Sequence, residues 1–135
     1  FQKLYKEGGK KVIPLETIDQ QAELLYCSTP ILKQLDGLRE LLAEPGKGEE
    51  NARKLNEAYM AQDLETLLEI SKDDEADPTF MTALLDRRNR DWMTRLPGIM
   101  TDQPVLIVVG AAHLPGPDGL VTLLRNAGYT VTPQE

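Results

Sequence analysis

The only histidine of this 135-residue chain follows a run of apolar residues, in the stretch "VLIVVGAAHLPGPDGL" over residues 105–120. Residues 105–109 are mostly β-branched, which is typical of a strand covered on both faces. Open α/β sheets bind ligands beyond the carboxyl ends of their strands, and His113 would lie there. Its imidazole suits both metal binding and acid–base catalysis. The competing interpretation is a histidine on the surface or in a helix cap.

Glu16 is the second candidate, because it follows the short apolar segment 11–15 as His113 follows its own. If the two segments are neighbouring parallel strands, the carboxylate and the imidazole emerge at the same edge of the sheet. Such a pair can share a divalent ion or activate a water molecule. The alternative is an acidic residue at a helix start, where the helix dipole favours negative charge.

Arg88 and Asn89 are the third candidate, within "DRRNRDW" over residues 86–92. An arginine beside an asparagine can hold a substrate carbonyl or orient a carboxylate. The alternative is a charged helix face in which Asp86 pairs with Arg90, four residues later. Such a pair contributes only a few tenths of a kcal/mol.

The elements that would position these residues are short strands between helices. Strands are predicted at residues 11–15, 105–109 and 129–133, and the segment 105–132 reads as a βαβ unit with a right-handed crossover. We therefore expect an α/β fold: a small mixed or parallel sheet of about three strands, covered by five or six helices.

Helical periodicity and capping residues place the helices. Thr17 and Gln20 form a capping-box pattern, Asp63 can cap a short helix, and Gly8 with Gly9 closes the first helix. The acidic stretch 71–78 is expected to be a solvated loop. The expected helices are 1–10, 17–27, 28–44, about 49–61 after a break at "EPGKGEE", a short one after Asp63, about 79–96, and 120–127.

Composition limits the function classes. The net charge of −7 argues against a nucleic-acid or anionic-membrane partner, and the single cysteine, Cys27, excludes an internal disulfide or a multi-cysteine zinc site. No apolar run approaches the ~20 residues that cross a bilayer. The GxSxG, P-loop, GxGxxG and HExxH patterns do not occur. The length fits a single domain over 1–135, and a start at Phe1 rather than Met indicates an N-terminus that is processed, trimmed or cut from something longer.

Four segments resemble the TraB/GumN (pheromone shutdown, Tiki-like) family, in family order and over nearly the whole chain. They are "VIPLETIDQQAELL", "LNEAYMAQDLETLLEI", "LLDRRNRDWMTRL" and "VVGAAHLPGPDGLVTLLRNAGYTV". The last segment is the most specific, because it looks very like the family's closing "GxGHLxGxxGLxxLLxxxGY" segment.

The resemblance implies a site. Known members are thought to be α/β hydrolase-like enzymes without a serine nucleophile, some of them metal-dependent proteases, with two GxxH motifs and acidic and Arg/Asn residues. The second GxxH would be Gly110 to His113. Carried over, the catalytic residues are His113, Glu16, Arg88 and Asn89, and the metal ligands are His113 and Glu16.

The family's first GxxH has no counterpart here, so the chain resembles the C-terminal half of a larger two-half fold. The resemblance implies a divalent metal ion in the full-length protein. We expect none in this fragment, because His113 and Glu16 supply two ligands at most and metal sites use three or four. The expected partners are a peptide or small-molecule substrate, the missing N-terminal half and a second copy in a homodimer. Many relatives look exported, which is compatible with the periplasm or cell envelope.

Three functions follow from these patterns. The first is a metal-dependent, peptidase-like hydrolase that is inactive without its N-terminal half. The second is a non-catalytic module that binds a peptide or small ligand on the same fold. A third is an interaction domain that uses the acidic helical stretch 45–77.

Overall fold

The computed structural model describes residues 2–71, 78–101 and 104–134. Two π-helical segments, Glu23–Cys27 and Thr82–Arg87, continue the second and sixth helices, and a 3₁₀ turn spans Ala111–His113. The α-helices are α1 (Gln2–Glu7), α2 (Ile18–Ala22), α3 (Ile31–Ala43), α4 (Pro45–Met60), α5 (Leu64–Ser71), α6 (Pro78–Met81), α7 (Arg88–Met93), α8 (Leu96–Ile99) and α9 (Leu120–Asn126).

The expected α/β fold with a three-stranded sheet is wrong. The structure is 66% helical, and none of its described residues belongs to a strand. Residues 11–15, 105–109 and 129–133 are irregular chain instead. A strand exists only where its backbone N–H and C=O groups pair with a second strand, and no described backbone hydrogen bond joins any two of these segments.

The segment 105–109 is also covered on one side rather than two. Ile107 and Val109 pack against the core, whereas its other residues are between 40% and 59% exposed: Val105, Leu106 and Val108. The β-branched run therefore indicated apolar contact with the helices and not a place inside a sheet.

Three predicted helix ends are confirmed. Thr17 and Gln20 form the reciprocal capping box at the start of α2. The Asp63 carboxylate accepts hydrogen bonds from the backbone N–H groups of Glu65 and Thr66 at the start of α5. Gly9 adopts a φ of +68° after α1, a left-handed conformation that glycine tolerates.

Two helix predictions need correction. The break expected at "EPGKGEE" is confined to Glu44, because α4 already begins at Pro45, where a proline in the first turn costs no hydrogen bond. The single helix expected over about 79–96 is divided into α6, the π-helical segment, α7 and the start of α8. The acidic loop expected at 71–78 falls on residues 72–77, which lie outside the described residues.

The core lies where α7, α8 and α9 meet. Trp92, Leu96 and Leu120 form its buried cluster, with partly buried side chains packed around them: Leu15, Met93, Met100, Ile107 and Val109. No helix in the described ranges is long and apolar enough to cross a membrane. That residues 1–135 form a single domain stays a prediction.

Candidate functional site

Glu16 and Arg88 form an ion pair between the bend before α2 and the first residue of α7. Arg88 Nε donates to Glu16 Oε2 at 2.9 Å, and Arg88 Nη2 donates to Glu16 Oε1. Gln21 donates to the same Oε1 at 2.8 Å. The side chains of Arg88 and Glu16 are 19% and 13% exposed. Arg88 Nη1 also donates to the Leu84 carbonyl at 2.9 Å, which fixes the guanidinium relative to the π-helical segment.

The pairing keeps Glu16 ionised. Burial on its own raises the pKa of this carboxyl group, but the hydrogen bonds from Arg88 and Gln21 and the positive charge of Arg88 outweigh it. The pKa of Glu16 consequently lies below its usual value. The carboxylate is therefore an anion at neutral pH, and both of its oxygens already accept hydrogen bonds.

Asn89 and His113 form the second pair, and Asn89 is only 1% exposed. Asn89 Nδ2 donates to two backbone carbonyls, those of His113 at 3.1 Å and Asp118 at 2.8 Å. Two acceptors around Nδ2 fix which end of the amide is the nitrogen. Asn89 Oδ1 consequently faces His113 Nδ1 at 2.8 Å and must accept its proton. The neutral imidazole therefore carries its proton on Nδ1 and its lone pair on Nε2.

His113 is neutral over the physiological pH range. Burial lowers the pKa of its imidazole and the nearby Arg88 charge lowers it further, whereas the Glu16 carboxylate raises it. The resulting pKa is about 4. An uncharged ring with a fixed tautomer is the form in which histidine binds metals.

Trp92 connects the two pairs. Arg88 Cζ lies 5.1 Å from the centroid of its indole ring, within cation–π range, and the imidazole of His113 lies 4.5 Å away, centroid to centroid, tilted by 45°. The structure thus brings together all four residues that the sequence singled out. Arg88 orients the Glu16 carboxylate, one of the tasks expected of it. Their catalytic roles stay predictions.

Comparison with known proteins identifies the family. The model of the TraB/PrgY/gumN family matches residues 1–133. The chain belongs to this family. No curated protein and no solved structure matches the chain.

In this TraB/PrgY/gumN chain, a tight loop presents His113. The 3₁₀ turn Ala111–His113 begins after Gly110, and the loop continues to Gly119 before α9. A Cβ atom at Gly119 would lie 2.1 Å from the Pro115 carbonyl oxygen and 2.3 Å from that of Leu114. Only glycine fits there, so this residue permits the close approach of the loop backbone at this turn.

Two contributors to the site were missed from the sequence. Trp92 falls within the helix predicted over about 79–96, and nothing in its spacing shows that it contacts both pairs. Arg90 was given Asp86 as its alternative partner, but it pairs with Asp118, 28 residues away. The glycine- and proline-rich loop around Asp118 was the only signal, since such a turn can bring a carboxylate back to α7.

An open groove of about 400 Å³ runs beside the Glu16–Arg88 pair. Its walls include Glu16, Arg88 and Trp92, and charged residues of both signs also line it: Arg87, Arg95 and Asp91. His113 is not among the described residues that line it. The groove is therefore in direct contact with the Glu16–Arg88 ion pair, whereas Trp92 lies between it and the imidazole of His113.

The donor atoms decide which residues of this TraB/PrgY/gumN member fit a metal ion. His113 fits as one ligand, because Nε2 holds the lone pair while Nδ1–H is held by Asn89. Glu16 does not fit in this arrangement, since Arg88 binds both of its oxygens. Among the described residues there is no group of three or more His, Cys, Asp or Glu side chains that would hold a metal ion. The metal ion expected in the full-length protein stays a prediction.

Proposed function

We propose that this chain contributes His113 as a metal ligand to a metal-dependent hydrolase of peptides. The observation that carries the proposal is the Asn89–His113 hydrogen bond, in an amide whose orientation two carbonyls fix. Histidine ligands commonly donate their second ring N–H to a buried acceptor, which fixes the tautomer and the direction of the ring.

The low pKa of the imidazole favours ligation over a role as general base. A general base works best with a pKa near the working pH, whereas His113 has a pKa of about 4. A ligand must instead be unprotonated, and His113 meets that condition throughout the physiological range. When bound, a divalent ion would lower the pKa of a water molecule and so supply hydroxide, the nucleophile for peptide hydrolysis, near neutral pH.

Glu16 and Arg88 have a different part in this proposal. Because their charges are paired, they stabilise the wall of the groove. The Glu16 carboxylate is consequently not free to bind a cation. Arg88 also packs on Trp92, which contacts His113, so the pair helps fix the face on which a peptide would lie. The remaining ligands would come from the N-terminal half that the family resemblance implies.

The test uses the full-length protein with a mixed peptide library and added divalent ions. We expect His113→Gln to abolish hydrolysis and Asn89→Ala to reduce metal affinity or activity by roughly 10–100-fold, as for other residues that hold a ligand. Arg53→Gln, at an exposed ion pair on α4, serves as the control. Hydrolysis by folded His113→Gln protein at the wild-type rate would refute the proposal.

A non-catalytic binding module is the second candidate. It is favoured by the hydrogen bonds that already satisfy Glu16 and Arg88 and by the open groove beside them. This function predicts that calorimetry detects peptide binding while no peptide bond is cleaved. Substituting Arg87, which lines the groove, would then weaken binding, whereas His113→Gln would leave it unchanged.

A further inference from the structure

Arg90 and Asp118 connect α7 to the loop that precedes α9. Arg90 Nε donates to Asp118 Oδ1 at 2.8 Å, and Arg90 Nη2 lies 2.7 Å from Asp118 Oδ2. The two contacts are parallel, so they fix direction as well as distance. The Arg90 side chain is 57% exposed and that of Asp118 is 28% exposed, which places the pair at the rim of the site.

Asp118 also acts through its backbone. Its carbonyl oxygen is one of the two acceptors that fix the orientation of the Asn89 amide. The other acceptor is the carbonyl of His113, the residue whose ring is being oriented. The Asp118 carbonyl is therefore the acceptor that does not belong to the residue being oriented, and the Asp118 side chain is held by Arg90.

We propose that Arg90 and Asp118 are positioning residues that keep the imidazole proton of His113 on Nδ1. If the Asp118 carbonyl moves away, the Asn89 amide can rotate and present Nδ2 to the ring. Nδ1 must then accept a hydrogen bond, so the ring proton moves to Nε2 and its lone pair there is lost. The usefulness of this device rests on the proposed function, but the tautomer itself does not.

A change of the His113 tautomer in Arg90 or Asp118 variants would not be explained by the direct effect of their charges on the ring or by a general loss of stability. Among the described residues, the charges that shift the pKa of the His113 ring are those of Arg88 and Glu16. An ion pair as exposed as Arg90–Asp118 contributes little to stability. A change of tautomer on altering Arg90 would consequently report the position of the loop.

The experiment measures long-range proton–nitrogen NMR correlations of the imidazole in the protein at neutral pH. His113 is the only histidine among residues 1–135, so in this chain its ring signals need no assignment by mutation. We expect the wild type to carry the proton on Nδ1. In Arg90→Gln and in Asp118→Asn we expect the ratio of Nδ1–H to Nε2–H to fall roughly fivefold, about the effect of one hydrogen bond.

The controls separate position from charge. Arg90→Lys keeps the positive charge but loses one of the two parallel contacts, so a tautomer ratio between those of the wild type and Arg90→Gln is expected. Arg53→Gln removes an arginine of similar exposure, 59%, from the Arg53–Glu57 pair and should leave the tautomer unchanged. An unchanged tautomer in folded Arg90→Gln and Asp118→Asn would overturn the proposal. Loss of fold in both would overturn it too, because the pair would then be structural.

The result is independent of hydrolysis. A shifted tautomer in a protein that cleaves no peptide would support the positioning role and count against the proposed function. A wild-type tautomer in both variants, together with hydrolysis that needs His113, would do the reverse.

Discussion

Two regions of this chain have similar apolar patterns and very different burial. The arm, residues 18–43, contains α2, its π-helical continuation and α3, and none of its residues is buried. Ile18 is 84% exposed and Leu42 is 72% exposed. The site region, residues 88–124, contains Trp92, Leu96 and Leu120, which are at most 5% exposed. Helical periodicity therefore shows which side chains share a face, but burial depends on a second element meeting that face.

The difference follows from how many elements converge. In the site region α7, α8 and α9 meet the irregular segment 105–109, so a side chain there has neighbours on several sides. In the arm, α3 contacts α4 near Gly48, but much of the surface of its leucine side chains is exposed to solvent. Polar groups follow the same division, since Asn89 and His113 are buried only where the apolar cluster surrounds them.

The largest expected effect tests this contrast with one substitution in each region. Leu96→Ala removes a side chain that is 1% exposed, and we expect it to lower the free energy of unfolding by about 2–5 kcal/mol. Leu42→Ala should change it by less than about 1 kcal/mol, because that leucine loses little contact. Chemical denaturation of both variants is the measurement. Equal losses would mean that the arm is as well packed as the site region.

The second effect is a pH dependence that arises from the buried imidazole of the site region. The pKa of His113 is about 4 in the folded chain, against about 6.5 when unfolded. As the pH is lowered, the unfolded state therefore binds the proton before the folded state does. The contribution of His113 to stability is fully present above pH 6.5 and is lost as the pH falls to 4. The total loss is about 3 kcal/mol.

Comparison with His113→Gln separates the contribution of the imidazole from the contributions of the carboxyl groups to the pH dependence of stability. The difference in unfolding free energy between the wild type and this variant should narrow as the pH falls from 6.5 to 4. A difference that stays constant across this interval would show that the imidazole is not held neutral.

How much the sequence predicted also differs between local and distant features. The caps at Thr17 and Asp63 were correct because they depend on residues at most four apart. The sheet was wrong because an extended apolar segment such as 105–109 contains no information about whether a second strand pairs with it. The sequence predicts that Glu16 and His113 meet at the edge of a sheet, but no described residue belongs to a strand. The ion pair of Glu16 with Arg88, 72 residues away, is suggested only by the family resemblance. The ring contacts of Trp92 and the hydrogen bond from Asn89 to the Asp118 carbonyl follow from no local sequence pattern.

A smaller effect on stability is expected from breaking an ion pair, and it should be larger in the site than on the exposed surface. Glu16→Gln leaves the half-buried Arg88 without its counter-charge, and we expect a loss of about 2 kcal/mol in stability. It should also lower the pKa of His113 further, since the Glu16 charge raises that pKa. Glu57→Gln, at an exposed pair on α4, should cost less than about 0.5 kcal/mol. Thermal denaturation and an NMR titration of His113 measure both, and an unchanged pKa in Glu16→Gln would separate the carboxylate from the imidazole.

The smallest effect should be a gain in the arm. Gly37 lies within α3, and a Cβ atom added there would have no neighbour within 4 Å. Alanine restricts the unfolded chain more than glycine does and favours the helix, so Gly37→Ala should raise stability by about 0.5–1 kcal/mol. The same change at Gly119 in the site region places a Cβ 2.1 Å from a backbone oxygen and should be destabilising. Denaturant unfolding of both variants would show opposite signs. A loss at Gly37 would mean that something covers this face of α3 in solution, and the arm would then resemble the site region after all.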